Sequence, residues 1–411
     1  MIIYDIGIWF YEKAIRLAAL RSRKAQLWCH GRKGLLQRIA HDMPAGEHVV
    51  WIHAASLGEF EQGRPIIERL KALRPDIKVV LTFFSPSGYE IRKNYPHADH
   101  IYYLPSDRTR NVKRFLDAVK PDVAVFIKYE FWLNYLAELR RRGIATLLVS
   151  AIFRPRSIFF RPWGGSWRKA LRGYSHLYVQ DGASEQLLRS IAIENITVAG
   201  DTRFDRVREI ARQAKQIPII EKFRGDRPLF VAGSTWHRDE ELLLELINDN
   251  PTVRFLIAPH EMDEQRIAWL MREVKGGAMR YTQSTVESDY STTQVLILDT
   301  IGMLSSAYAY AQWAYIGGGF GAGIHNTLEA ATYGLPIAFG PKYRKFQEAR
   351  DMVALGVATS VKNAQQLKSW FAKLCTDEVY YDNICIQARN YTHERCGATE
   401  IIVDDILSRL Q

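Results

Sequence analysis

Two successive series of short, continuous apolar runs, each run leading into a helical stretch, constrain this chain most. Residues 49–53, 79–84, 123–127, 146–149 and 177–179 read as strands, with helical patterns between them at 62–73, 111–118 and 132–142. A second series of strands follows at 229–232, 255–258, 295–298, 313–316 and 337–339. Runs apolar on both faces, alternating with helices, predict parallel sheets covered on both sides. The polar, charged segment 206–228 between the series reads as a helix plus hinge. At 411 residues the chain exceeds one ordinary core. The expected fold is therefore α/β, with two Rossmann-like doubly wound domains facing a cleft at the carboxyl ends of their strands. Expected boundaries are an N-terminal helical region at 1–33, a first domain at 34–205, a second at 206–385, and a helical segment at 386–411 that packs back on the first. The regular alternation begins after Pro44, Ala45 and Gly46.

The N-terminus carries the location signal. Met1 to Leu20 is dominated by apolar residues, and on a helix Asp5, Glu12 and Arg16 fall on one narrow stripe. The charge-free stretch after Asp5 ends at Tyr11, too short for a span of roughly 20 apolar residues. Lys13, Arg16, Arg21, Arg23, Lys24, Arg32 and Lys33 interrupt or follow it. An apolar face followed by a basic cluster predicts a helix lying in the interface of an anionic membrane. A first helix packed on its own domain is the alternative. The net charge of +10 also calls for an anionic partner, and no nucleic-acid-binding motif is present. Four cysteines without paired or metal-ligand spacing fit a reducing compartment.

Strand ends carry the motifs. HAASLGE, from His53 to Glu59, opens a helix. Ser56 can cap that helix, with Gly58 in its first turn, and Glu59 is a carboxylate suited to a general base. Ser85, Ser87 and Gly88 open a second helix and offer hydroxyls and backbone N–H groups to an anion. Lys128, Tyr129 and Glu130 follow another strand, either as a functional pair or as a surface ion pair. Arg203 stands at the domain boundary, where it can bind phosphate or make a salt bridge. In the second series Ser234 and Thr235 suit a phosphate, and Pro259 and His260 follow the next strand. The most specific segment is IGGGFGAGIHNTLEAA, from Ile316 to Ala331, followed by Gly340 and Pro341. It fits neither the P-loop nor the dinucleotide fingerprint. Its glycines allow close approach of a ligand to the backbone, and a helix expected from Asn326 would turn its N-terminus toward a phosphate. Glu329, one turn in, can accept hydrogen bonds from a ribose diol.

Together these segments resemble the transferases of 3-deoxy-D-manno-octulosonic acid (Kdo), which use CMP-Kdo and the lipid A precursor. The strongest matches are the Ser-Leu-Gly-Glu core at Ser56–Glu59, LDTIGML from Leu298, and HNTLE from His325 with Gly340 and Pro341. The resemblance implies a GT-B fold and inverting Kdo transfer from CMP-Kdo to the glucosamine disaccharide in lipopolysaccharide core biosynthesis. It also implies a peripheral or monotopic position on the cytoplasmic face of the bacterial inner membrane. By resemblance Glu59 is the general base, and Glu130 and Arg203 stabilise the transition state or orient substrates. CMP contacts fall on Pro259, His260, Ile301, Gly302, Met303, Asn326, Thr327, Leu328 and Glu329. Arg203 stands where Lys is usual, and Met303 where Glu is usual. A phosphate-monoester leaving group and the absence of a clustered acidic site predict no metal and no other cofactor. The competing readings are another GT-B enzyme using a UDP-sugar, as transferase or epimerase, and a non-catalytic sugar-nucleotide binding protein.

Overall fold

The computed structural model describes residues 2–43 and 47–410. Pro44, Ala45 and Gly46, where the alternation was expected to begin, lie outside the described residues. The chain divides into two compact units, residues 1–205 with 396–411, and residues 206–395.

The first unit holds seven parallel strands: β1 (Val49–Ala54), β2 (Lys78–Phe83), β3 (His100–Tyr103), β4 (Val123–Ile127), β5 (Ala145–Ala151), β6 (His176–Val179) and β7 (Ile196–Val198), in the order β3-β2-β1-β4-β5-β6-β7. Both faces are covered, as the apolar runs predict. Trp51, Phe126 and Leu148 pack on one side with Phe115 and Tyr135. Val50, Ile52 and Val125 pack on the other with Ile66, Ile67, Ile402, Val403 and Ile406. The last three belong to helix Ala398–Ser408, whose start is held by Asp205, which accepts from the Gly397 and Thr399 amides at 2.6 and 2.8 Å.

The second unit repeats the architecture with β8 (Leu229–Thr235), β9 (Arg254–Pro259), β10 (Ala278–Arg280), β11 (Val295–Ile297), β12 (Trp313–Ile316), β13 (Ile337–Phe339) and β14 (Ala358–Ser360). All are parallel, in the order β10-β11-β9-β8-β12-β13-β14. The sequence pattern missed β3, β7, β10 and β14. Each has three or four residues, and their partly exposed residues break the continuous apolar run that marks the central strands. In each sheet the order reverses beside its first strand, between β1 and β4 and between β8 and β12. Those switch points are where a doubly wound sheet opens a crevice at its carboxyl edge.

Helix Ile2–Ala18 is inside out. Asp5 and Glu12 of its polar stripe face the protein, while Arg16 is exposed. The Tyr4 hydroxyl donates to Asp107 at 2.8 Å, and Asp5 accepts from the Thr109 hydroxyl and the Asn134 amide, both at 2.8 Å. Glu12, 7% exposed, accepts from Ser106. Burial pushes Asp107 up to about 6 despite the Tyr4 hydroxyl and the Asn134 and Tyr135 amides that donate to it. The apolar side points outward, with Phe10 61%, Leu17 71% and Leu20 76% exposed. Among the described residues no helix is long and apolar enough to cross a membrane.

Candidate active site

In the first unit the motifs converge on the β1/β4 switch point. Helix Leu57–Leu73 starts directly after β1, with Ser56 as N-cap. The Ser56 oxygen accepts from the Gly58 amide at 3.3 Å, while its hydroxyl donates to Glu59. Glu59 thus sits in the first turn, partly exposed, at the carboxyl edge. Burial raises the Tyr129 phenol above its usual value, with a further rise from the charge of Glu59. The β1–β4 pairing sets the loop after β4 beside the loop after β1. The Ser85 amide donates to the Ala55 carbonyl at 2.8 Å, so the loop after β2 joins them. Ser85 and Ser87 lie exposed there with their hydroxyls 2.9 Å apart. Gly88 has a packing reason, since a Cβ would fall 2.3 Å from the Phe83 ring.

Glu130 is not half of a surface ion pair with Lys128. It is buried, and its Oε2 accepts from the Trp132 indole at 2.5 Å and lies 3.1 Å from His53 Nε2. Its backbone carbonyl accepts from the Tyr174 hydroxyl. His53, fully buried, has its other ring nitrogen 2.9 Å from the Thr82 hydroxyl. That hydroxyl in turn accepts from the Trp51 indole at 2.8 Å. These distances follow from register, because His53 pairs with Thr82 across β1–β2 and with Phe126 across β1–β4. Lys128 leads into Glu130 at φ +71°, a conformation costly for a residue with a Cβ, and its amine lies 5.6 Å over the Tyr129 ring. One carboxylate oxygen is clamped, while Oε1 takes no hydrogen bond from the described residues. Arg203 is held by Asp201, with Nε and a terminal nitrogen 2.9 and 2.8 Å from Oδ2. Burial works to raise Asp201, but Arg203 and the Gln62 amide outweigh it and hold the carboxyl below its usual range. Gln62 lies on the helix that Glu59 begins, so Arg203 is tied to that helix through Asp201.

In the second unit the glycine-rich segment leaves β12 at the β8/β12 switch point. A Cβ on Gly317 would fall 2.1 Å from the Ser234 carbonyl oxygen, so backbone meets backbone here. Ser234 itself adopts φ +53° at the irregularity between Gly233 and Thr235. The Thr235 hydroxyl is already used, donating to buried Glu240 at 2.8 Å. Asp239, fully buried, pins the corner. Its Oδ2 accepts from the Gly318 and Trp236 amides at 2.8 and 3.0 Å, and its Oδ1 from the Tyr315 hydroxyl at 2.8 Å. Burial, with a smaller rise from Glu240, still lifts its pKa against those three donors.

Pro259 ends β9, and exposed His260 follows, its amide donating to the Thr235 carbonyl at 2.9 Å. Ile301, Gly302 and Met303 form an open loop after β11, with Ile301 93% exposed. The helix expected from Asn326 is a single turn, Leu328–Ala331, because Gly334 and Pro336 end it quickly. One turn carries little dipole. Thr327 is its N-cap, and Asn326 just before it accepts from the Leu328 amide at 3.0 Å and donates to Glu329 at 2.9 Å. Thr327 and Leu328 are buried, so the backbone is what they offer a ligand. Among the described residues no group of three or more His, Cys, Asp and Glu side chains is placed to hold a metal ion. The sequence motifs contained His53, Trp236 and His325 without giving them roles, and Thr82 and Asp239 lay outside the residues singled out. A fully charged residue in the first turn of a helix gives no sign that three donors surround it.

The family model described as 3-deoxy-D-manno-octulosonic-acid transferase (kdotransferase) matches residues 29–206. A 3-deoxy-D-manno-octulosonic acid transferase of Bordetella pertussis is 27% identical over 373 residues, covering 86% of each chain. Among solved structures, UDP-GlcNAc 2-epimerase from Neisseria meningitidis superposes with a TM-score of 0.61 at 17% identity, covering 88% of this chain and 100% of that one. Acinetobacter baumannii MurG gives 0.57 at 14% identity, covering 88% of this chain and 100% of that one. At such identities the structures speak to fold alone, and the fold is GT-B. By these sequence matches the chain is similar to the 3-deoxy-D-manno-octulosonic acid transferases, over residues 29–206 to the family model and over most of its length to the Bordetella pertussis enzyme.

Proposed function

We propose that this protein transfers Kdo, with inversion, from CMP-Kdo to the glucosamine disaccharide of a lipid A precursor held at an anionic membrane surface, in lipopolysaccharide core synthesis. The observation that carries the reading is the pair of carboxylates at the β1/β4 switch point of a chain similar to this family. Glu59 is open to solvent in a first helical turn, and Glu130 is buried and clamped on one oxygen. Glu59 removes the proton of the acceptor hydroxyl, whose oxygen bonds to the anomeric C2 of Kdo as the C2–O bond to the phosphate breaks. CMP leaves with the bonding pair. The reacting carbon gains positive character, as in other glycosyl transfer, and the Glu130 carboxylate stabilises it. Arg203 offsets the negative charge of the substrates. The nucleotide falls to the second unit, to Pro259–His260, the backbone of 301–303, and Asn326 to Glu329. No metal is required, because the leaving group is a phosphate monoester.

The inside-out helix supports the membrane surface. Its polar stripe is taken up by Asp107, Thr109, Asn134 and Ser106, and although Tyr11 packs on Trp28 and Phe84, Ile6, Trp9, Phe10 and Leu17 stay exposed. Exposed Lys13, Arg16, Arg21, Arg23, Lys24 and Lys33 lie on or after it. Co-sedimentation of the full chain with anionic but not neutral liposomes is expected, and a protein that stays in the supernatant with both refutes it.

The catalytic reading is tested with purified enzyme, CMP-Kdo and lipid A precursor, reading product mass. Glu59→Ala is expected to lower turnover roughly 10²–10⁴-fold with CMP binding retained. Near-normal turnover assigns the base elsewhere. A nucleotide panel separates this reading from a UDP-sugar enzyme, since CMP rather than UDP should protect against thermal unfolding. A purely binding role predicts no product at all.

A further inference from the structure

Three aromatic rings from three strand ends meet at the carboxyl edge of the second sheet. Trp236 follows β8, His260 follows β9, and His325 lies in the segment leaving β12. Trp236 and His325 are nearly coplanar, at 11°, and joined edge to edge, the indole Nε1 donating to His325 Nε2 at 3.1 Å. His260 stacks over both, 4.8 Å from Trp236 and 4.3 Å from His325 between ring centroids. The His325 amide donates to the Gly317 carbonyl at 3.2 Å. A Cβ on Gly318 would reach within 3.0 Å of the imidazole, so glycine leaves room for the ring.

The hydrogen bond decides the tautomer. An indole N–H only donates, so His325 Nε2 must carry a lone pair, and the proton of the neutral ring sits on Nδ1. That Nδ1–H has no acceptor among the described residues, and it is not among the side-chain atoms sealed from solvent without a partner. Burial, reinforced by the neighbouring His260, pulls His325 down to about 4, so the ring is neutral near pH 7. The result is a fixed, uncharged donor at the lip of a glycine-rich corner, with no acceptor among the described residues.

We infer that His325 donates its Nδ1–H to a phosphate oxygen of the bound nucleotide, and that Trp236 is the positioning residue that fixes this tautomer and seats His260. The inference rests on the nucleotide reading of the second unit and adds two residues to it. A neutral donor also suits the reaction, since it can stabilise the departing phosphate without surrendering a proton to it.

The test compares CMP with cytidine, which lacks the phosphate, as ligands of the full chain by calorimetric titration. Trp236→Phe keeps a ring for His260 and loses the donor. It is expected to weaken CMP on the order of tenfold, the size of one hydrogen bond to a charged group, and to leave cytidine unchanged. His325→Asn carries an amide nitrogen near the position of Nδ1 and is expected to hold most of the CMP affinity, whereas His325→Leu loses it. If Trp236→Phe does not fold, judged by its melting transition, the Asn and Leu pair decides. Equal CMP affinity in wild type, Trp236→Phe and His325→Leu overturns the inference. So does a parallel loss of CMP and cytidine, which would make the rings a platform for the base. A wild-type chain that binds no CMP sinks the nucleotide reading itself, an outcome distinct from these.

Discussion

Replacing Asp239 separates the role of its charge from the role of its oxygens. The carboxylate is fully buried and accepts three hydrogen bonds, from the Gly318 and Trp236 amides and the Tyr315 hydroxyl, at 2.8–3.0 Å. Among the described residues no cation is paired with it, and its pKa is raised, so the charge itself is a cost. In Asp239→Asn the amide oxygen can keep both backbone donors while the new N–H₂ donates to Tyr315, whose hydroxyl turns from donor to acceptor. The asparagine variant is therefore expected within about 1 kcal/mol of wild type, because relief of the buried charge offsets weaker hydrogen bonds. Asp239→Ala strands all three donors at roughly 1–3 kcal/mol each, less what relaxation recovers, for about 3–6 kcal/mol. That is a large part of the stability of a typical domain, about 5–15 kcal/mol. The assay is urea unfolding, with hydrogen exchange on peptides spanning 313–325 as the local readout. The Gly318 amide should lose protection in the alanine variant and keep it in the asparagine variant. An alanine variant with the wild-type urea midpoint, or an asparagine variant as damaged as alanine, refutes the reasoning.

The remaining predictions test other parts of the molecule. His53→Leu removes a donor 3.1 Å from Glu130 and is expected to lower kcat roughly 10–100-fold with little change in KM, while His53→Gln recovers part of it; equal turnover in all three proteins removes His53 from the reaction. Asp107 has a folded pKa of about 6 against an ordinary 3.8, so its favourable contribution is fully present below 3.8 and is lost as pH rises through 6; wild type should gain about 2 kcal/mol relative to Asp107→Asn between pH 8 and pH 4, and parallel urea midpoints across that range would contradict this. Gly317→Ala drives a methyl to 2.1 Å from the Ser234 carbonyl oxygen and should cost about 3 kcal/mol or more, whereas Gly321→Ala, whose nearest atom is 3.6 Å away, should be close to neutral; indistinguishable melting temperatures would show that the corner yields. Dialysis against EDTA should leave turnover unchanged, and a loss restored by added Mg²⁺ would establish a metal requirement.

Much of the fold was legible before any coordinates. The ten strands inside the two sheets are continuous apolar runs, and burial on both faces is what such runs mean in a parallel sheet. The short edge strands were not legible, because three or four half-covered residues carry no period. The site was legible as positions. HAASLGE, Glu130, Arg203 and the glycine-rich segment all lie at or near strand ends, since a doubly wound sheet gathers its loops at the carboxyl edge. Their partnerships were not legible. Glu130 looked like a surface charge beside Lys128, and its partner His53 lies 77 residues away. The helix expected at Asn326 shrank to one turn because local pattern does not report how soon the next strand must begin.

The sequence by itself determined two parallel α/β sheets, the residues at their carboxyl edges, and the resemblance to a family. These depend on periodicity and on short motifs, which are local. Only the tertiary structure decided which groups are charged, oriented or available. It turned Asp5 and Glu12 of the first helix inward, joined Trp236 to His325 across 89 residues, and buried Asp239 among three donors. The physical reason is that a hydrogen bond or a raised pKa depends on distance and solvent exclusion between elements far apart in the chain. No periodicity encodes that distance.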